Sequence, residues 1–170
     1  MRNRFFTLLM LASIVALTVL SIIPTNVTQA RVDAKQITIT ITEAQFAKYV
    51  ASVRARGIKK TEVDIVDGGI IVKFITSGAG SLEVWEHFGV LIRDGKLVTE
   101  AGVISFPAIG QGLGYADAKN LVPEIVPYLD HDAKIMSKFV LRQVAAKAGS
   151  RYTPESATLA GDKLVIVVNK

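Results

Sequence analysis

Two Asp-Gly pairs, Asp67-Gly68 and Asp94-Gly95, each stand between runs of strand-forming residues. Asp-Gly is a strong short-range signal for a tight hairpin, because the favoured two-residue turns need positive φ at their centre. Two such turns in tandem commit the middle of the chain to an antiparallel sheet. Its expected strands are Thr61–Asp67, Ile70–Thr76, Ser81–Arg93 and Leu97–Phe106. The last two reach about 30–40 Å at ~3.3 Å per residue, and paired strands of that length tend to coil.

The flanking segments alternate between the two regular periods. From Gln36 to Thr42, Ile37, Ile39 and Ile41 alternate with threonines, which is strand periodicity with one apolar face. Thr42 and Gln45 then form a T-x-x-Q capping box. Phe46, Val50 and Val53 follow at helical spacing, with Tyr49 alongside and Gly57 as the stop, so a helix of about four turns is expected. After Phe106, Gly110-Gln111-Gly112-Leu113-Gly114 reads as a flexible connector. Ala116–Leu129 reads as helix interrupted by Pro123 and Pro127. Asp132–Ala148 reads as a longer helix with Ile135, Phe139, Val140 and Val144 inward. A hairpin through Gly161-Asp162 closes the chain. No linker or repeat divides residues 31–170, so one α+β domain is expected.

Ile70–Ile75 and Leu164–Val168 are apolar on both faces. An antiparallel strand with one face in water should alternate. The long helix accounts for one covered face. The other calls for the curled sheet itself, a second copy in a homo-oligomer, or a bound apolar ligand.

Before this domain, Arg2 and Arg4 precede an uncharged run from Phe5 to Ile23. Pro24 ends it, and Thr28 and Ala30 stand at the small-residue positions of a cleavage site. That order makes residues 1–30 an expected signal segment, with an uncleaved anchor as the alternative for so long a run. Asn26-Val27-Thr28 matches a glycosylation acceptor inside the segment expected to be removed. The remainder keeps 18 basic and 15 acidic residues, a net charge of +3. Such a balance permits contact with an anionic surface but lacks the basic patch of a nucleic-acid binder. With no cysteine in the chain, an extracytoplasmic domain must be held by its core rather than by disulfides.

The order of elements resembles that of small exported bacterial proteins in the tubular lipid-binding (TULIP-like) superfamily. ITITEAQFAKYVASV (Ile39–Val53) is similar to their opening strand and amphipathic helix, and EVDIVDGGIIVKF (Glu62–Phe74) to their Asp-Gly hairpin. VLIRDGKLV (Val90–Val98) is similar to their long strand pair, and SATLAGDKLVIVV (Ser156–Val168) to their closing hairpin. The resemblance implies a strongly curved antiparallel sheet wrapped around a long helix, with an apolar groove for acyl chains. Between Phe106 and Leu121 the glycine-rich stretch departs from the expected leucine- and proline-rich helix start.

On this reading Ile70, Val72, Phe74, Val84, Phe88, Val90 and Phe139 line the groove; the plain alternative is ordinary core, where large apolar residues usually lie. Arg54, Arg56, Lys59 and Lys60 would meet a head group or membrane surface, or simply complement a helix C-terminus. Trp85, the only tryptophan, suits a membrane interface or groove mouth, or a half-buried surface position. Asp130-His131-Asp132 reads as a helix start with capping aspartates rather than a metal site, since His87 is the only other histidine. Gly110, Gly112 and Gly114 fit neither phosphate-loop spacing and read as a hinge or lid.

There is no cysteine nucleophile and no G-x-S-x-G. The expectation is therefore a non-enzymatic exported protein without cofactor or metal, secreted or in the cell envelope, that binds a lipid or other long apolar molecule. The alternative is a protein-interaction or structural module that buries its second apolar sheet face in an oligomer.

Overall fold

The computed structural model describes residues 35–77 and 80–170. The expected signal segment, and Gly78-Ala79 of the loop expected at 77–81, lie outside the described residues. Residues 34–170 form one compact unit.

Strand β1 (Gln36–Thr42) leads into helix α1 (Glu43–Ser52) through the expected cap. The Gln45 amide donates to Thr42 Oγ1 at 3.3 Å, and the Thr42 amide donates to Gln45 Oε1 at 2.9 Å. The helix ends at Ser52, a turn earlier than expected, with Val53 as its cap; residues 53–57 form a separate turn. Strands β2 (Ile58–Val66), β3 (Gly69–Thr76), β4 (Glu83–Arg93) and β5 (Lys96–Phe106) follow as a meander. At the β4–β5 turn both Asp94 and Gly95 have positive φ, +51° and +69°, as the twist-matched hairpin turn requires.

The glycine-rich stretch is not a loose connector. Gln111–Gly114 is strand β6, paired antiparallel with Val103–Phe106 of β5. Glycine leaves backbone pairing intact, so its side-chain pattern hides a strand that the hydrogen bonds make. Helix α2 (Tyr115–Leu121) stops two residues before Pro123, whose short 3-10 turn leads into helix α3 (Val126–Ala148). Pro127 sits in the first turn of α3, where a missing N–H costs nothing. Thus α3 begins six residues before Asp132, and Asp130-His131-Asp132 lies inside it rather than at its start. Strands β7 (Thr153–Ala160) and β8 (Lys163–Asn169) close the chain.

The strands form two antiparallel sheets instead of one, ordered β2-β3-β4-β5-β6 and β1-β8-β7, and neither closes on itself. β1 pairs with β8 from Gln36↔Asn169 to Thr42↔Lys163. Helix α3 packs on β5, β1 and α1, and the fold is α+β with a long C-terminal helix. The second faces of the doubly apolar strands are half-buried: Ile71 and Ile75 in β3, Val165 and Val167 in β8. Val165 lies between Thr40 and Thr158 in the ladder, and Val167 between Thr38 and Ser156. Their neighbours in the same sheet shield them in part.

The core has two parts. The larger gathers Ile39, Phe46, Val63, Val72, Phe88, Val140 and Ile166 with their neighbours from both sheets, α1 and α3. The smaller holds Ile58, Phe74, Val84, Ile104, Phe106, Ala118, Ile125 and Leu129. A bulge on β5 lets one strand serve both. Opposite Glu86–Phe88 the register slips by one residue at Gly102-Val103. Inward positions therefore change from odd (Leu97) to even (Ile104, Phe106), the re-aiming that a bulge produces.

Candidate functional site

At one end of the smaller core part, the surface opens into a concavity of about 430 Å³ lined by Thr76, Gly80, Leu82, Val122, Glu124, Ile125 and Tyr128. Its apolar wall is the skin of the core: Ile125 belongs to the smaller cluster, and Leu82, Val122 and Tyr128 pack against it. Pro123 creates one side. It cannot continue α2, so the chain breaks at Val122, and the 3-10 turn presents Val122 and Ile125 to the opening. The other side is held by hydrogen bonds at the end of β3. Thr76 N–H donates to Leu82 O (3.1 Å), Leu82 N–H to Thr76 Oγ1 (2.9 Å), and Ser77 N–H to Gly57 O (2.7 Å). Gly57 has φ +93°, and a Cβ there would lie 2.7 Å from Tyr128 Oη. Only glycine fits that turn against that ring. Lys59 donates to Ser81 Oγ at 2.8 Å, which ties one cation to the segment between Gly80 and Leu82 of the rim.

Where the two core parts meet lie two buried carboxyl groups. Glu86 stands in the inward row of β4 between Val84 of the smaller part and Phe88 of the larger, flanked across the sheet by Val72 and Ile104. It is 0% exposed, and neither carboxyl oxygen has a hydrogen-bond partner. Asp132 is 2% exposed, with Oδ2 unpartnered, on α3 between Leu129 of the smaller part and Ile135 of the larger. Burial, reinforced by the charges of Asp132 and Asp130, pushes Glu86 up to about 10. Burial pushes Asp132 up to about 7, opposed by His131. Glu86 is thus a neutral acid at pH 7, as an unpaired buried carboxyl must be.

Polar groups gather beside this pair. Tyr115 Oη and Lys119 Nζ both donate to Asp130 Oδ1, at 2.9 and 2.7 Å. Lys119, then Tyr115, hold Asp130 below the usual carboxylate range. Burial and then the bond to Asp130 hold the Tyr115 phenol well above its ordinary range. His131 Nε2 donates to Val53 O at 2.7 Å, tying α3 to the turn after α1. His131 is therefore spent on structure, while His87 lies on the outer sheet face beside Ser105. The two do not converge. Neither Glu86 nor Asp132 lines the concavity, so as arranged they do not meet a ligand bound there.

The seven residues expected along a groove are all buried. Ile70, Val72, Phe88, Val90 and Phe139 lie in the larger core part, where Phe139 meets Phe46 edge-on at 4.9 Å and stacks on Tyr49 at 4.5 Å. Phe74 and Val84 lie in the smaller part. None of the seven lines the 430 Å³ concavity. The four cations are exposed, and Lys60 lies near Glu83, the carboxylate that holds the Trp85 indole. Arg54 donates to Lys59 O (3.0 Å), Lys60 pairs with Glu62, and Arg56 stands on the turn before β2. Trp85 faces the outer side of the five-stranded sheet, its indole N–H on Glu83 (2.8 Å) and Lys73 over its ring at 4.7 Å.

The sequence did carry a signal for Glu86. In the row Leu82, Val84, Glu86, Phe88, Val90 it is the one charged residue on the apolar side, a position that alternation marks as inward. Asp132 shares the helical stripe of Leu129, Ile135 and Met136, but reading the helix as starting at Asp132 conceals this. The concavity had no local signal, because its walls come from segments about 45 residues apart. No protein family, no curated protein and no solved structure matches the chain.

Proposed function

We propose that this domain binds a lipid or other long apolar ligand without catalysis, outside the cytoplasm, and that the ligand enters at the concavity bounded by Leu82, Val122, Ile125 and Tyr128. The observation that carries the reading is that the floor of this opening is the surface of the smaller core part. An apolar chain laid against Leu82, Val122, Ile125 and Tyr128 continues the core on that wall, while Thr76, Gly80 and Glu124 make the facing wall polar. Its volume falls within the roughly 300–1,000 Å³ of small-molecule sites. Each methylene withdrawn from water is worth about 0.8 kcal/mol, so a chain of several carbons gains affinity without polar recognition once ordering costs are met. A strongly curved sheet around α3, with acyl chains parting the two core parts, is the loaded form this reading expects. Ile70, Val72, Phe74, Val84, Phe88, Val90 and Phe139 would then be the residues an entering chain displaces or touches.

The test is native mass spectrometry of residues 31–170 after export, with solvent extraction and lipid analysis. Recovery of about one lipid per chain, lost in Val122→Asp and Leu82→Asp while thermal melting shows that the fold persists, is the expected result; both side chains are half-buried at the edge of the smaller core part. A ligand-free monomer, or a tight dimer, sinks the reading and favours the interaction module.

A further inference from the structure

Helix α3 turns Ile135, Met136, Phe139, Val140 and Val144 to the core and leaves a narrow outward strip. Lys134, Lys138 and Arg142 lie along it, all exposed. Residues four apart share a helix face, and the three charges span about 12 Å at ~1.5 Å per residue. Leu141, 40% exposed, sits among them. From Ala133 to Ala148 the helix has no acidic residue. Among the described residues none of the three cations takes part in an ion pair. Asp130, one turn before Lys134, already has its carboxylate on Lys119 and Tyr115. Like charges four apart weaken a helix, so an unbroken series is kept at a local cost.

We propose that this strip docks the domain on an anionic phospholipid surface, with Lys134, Lys138 and Arg142 at the head groups and Leu141 at the head-group boundary. The exposed leucine among the cations favours a bilayer over an anionic polymer. A polymer rewards charge alone, whereas a lipid surface also takes an apolar side chain and the aliphatic stems of the lysines. The proposal does not depend on the ligand concavity, which α3 contributes to only through Tyr128.

The test mixes residues 31–170, whose described core lies entirely between Ile39 and Val168, with vesicles of equimolar phosphatidylglycerol and phosphatidylcholine, or of phosphatidylcholine alone. The expected result is binding to the anionic vesicles only, weakened by salt. It falls about fivefold for each cation changed to glutamine, and about a hundredfold in K134Q/K138Q/R142Q. Thermal melting monitors the fold; should the triple variant melt early, K138Q alone is read, with its fivefold loss. Val122→Asp binds the vesicles as the parent does, which separates this surface from ligand uptake. Equal binding by the triple variant, no preference for the anionic vesicles, loss of vesicle binding in Val122→Asp, or capture by dextran sulfate but not by vesicles would each overturn the proposal.

Discussion

Glu86 is a carboxyl group in a row of aliphatic and aromatic neighbours, with no partner for either oxygen. Such a group is tolerated only as the neutral acid, so its protonation is coupled to folding. Both Glu86 and Asp132 hold their protons more tightly folded than unfolded, Glu86 up to about 10 and Asp132 up to about 7. The folded state therefore binds more protons, and stability falls as pH rises. The loss starts near the unfolded carboxylate values around 4, ends near 7 for Asp132, and continues towards 10 for Glu86. Its slope reaches about 1.4 kcal/mol per pH unit for each group. Urea unfolding across this range should show the decline, and Glu86→Gln with Asp132→Asn should flatten it; a decline of the same size in the double variant would refute the assignment. Gly57 makes a different demand. Its positive φ and its contact with Tyr128 Oη predict that Gly57→Ala costs about 1–3 kcal/mol. Tyr128→Phe in the same chain should recover the steric share and leave the conformational one, as denaturant midpoints would reveal.

Elements differ in how locally they are determined. The Thr42–Gln45 box is written in four adjacent residues and forms as written. Thr42→Ala should cost about 1 kcal/mol, seen as a lower denaturation midpoint and faster amide exchange at the start of α1. The same helix also guards an edge: Glu43 Oε2 accepts from the Ile65 amide at 2.9 Å, on the free side of β2. An unpaired strand edge otherwise invites other chains. Strands β5 and β6 could be read only in part. Gly102 hints at a bulge, but the change of inward face there depends on β4 running alongside. The glycines of β6 have no side chains to display a period, and its strand state rests on pairing with β5.

The three-stranded sheet forms at the scale of the whole molecule, through the long-range pairing of β1 with β8. β8 is the centre of its sheet, bonded to β1 on one side and β7 on the other, and Leu164, Ile166 and Val168 are fully buried. Truncating Leu164 or Ile166 to alanine should cost about 2–5 kcal/mol. Removing residues 163–170 should therefore exceed the roughly 5–15 kcal/mol that holds a domain of this kind. Circular dichroism and limited proteolysis of the truncated chain should report an unfolded protein, not a domain missing one hairpin. Because β1 meets β8 across more than 120 positions, folding should also be slow relative to helical domains of similar size.

The amino-acid sequence by itself determined what is local: the Asp-Gly hairpins, the capping box, the inward faces of β1 and β4, and the antiparallel α+β class. These follow from backbone preference and side-chain period over a few residues. The inward-facing residues were also readable, but alternation records burial without saying whether a neighbouring side chain or a ligand covers the face. The tertiary structure decided the rest. It split the strands into two sheets, divided the core, and set Glu86 and Asp132 on the boundary. It also brought Leu82 and Val122 to one opening. Each of these depends on segments tens of residues apart meeting in space, and no short-range pattern encodes that distance.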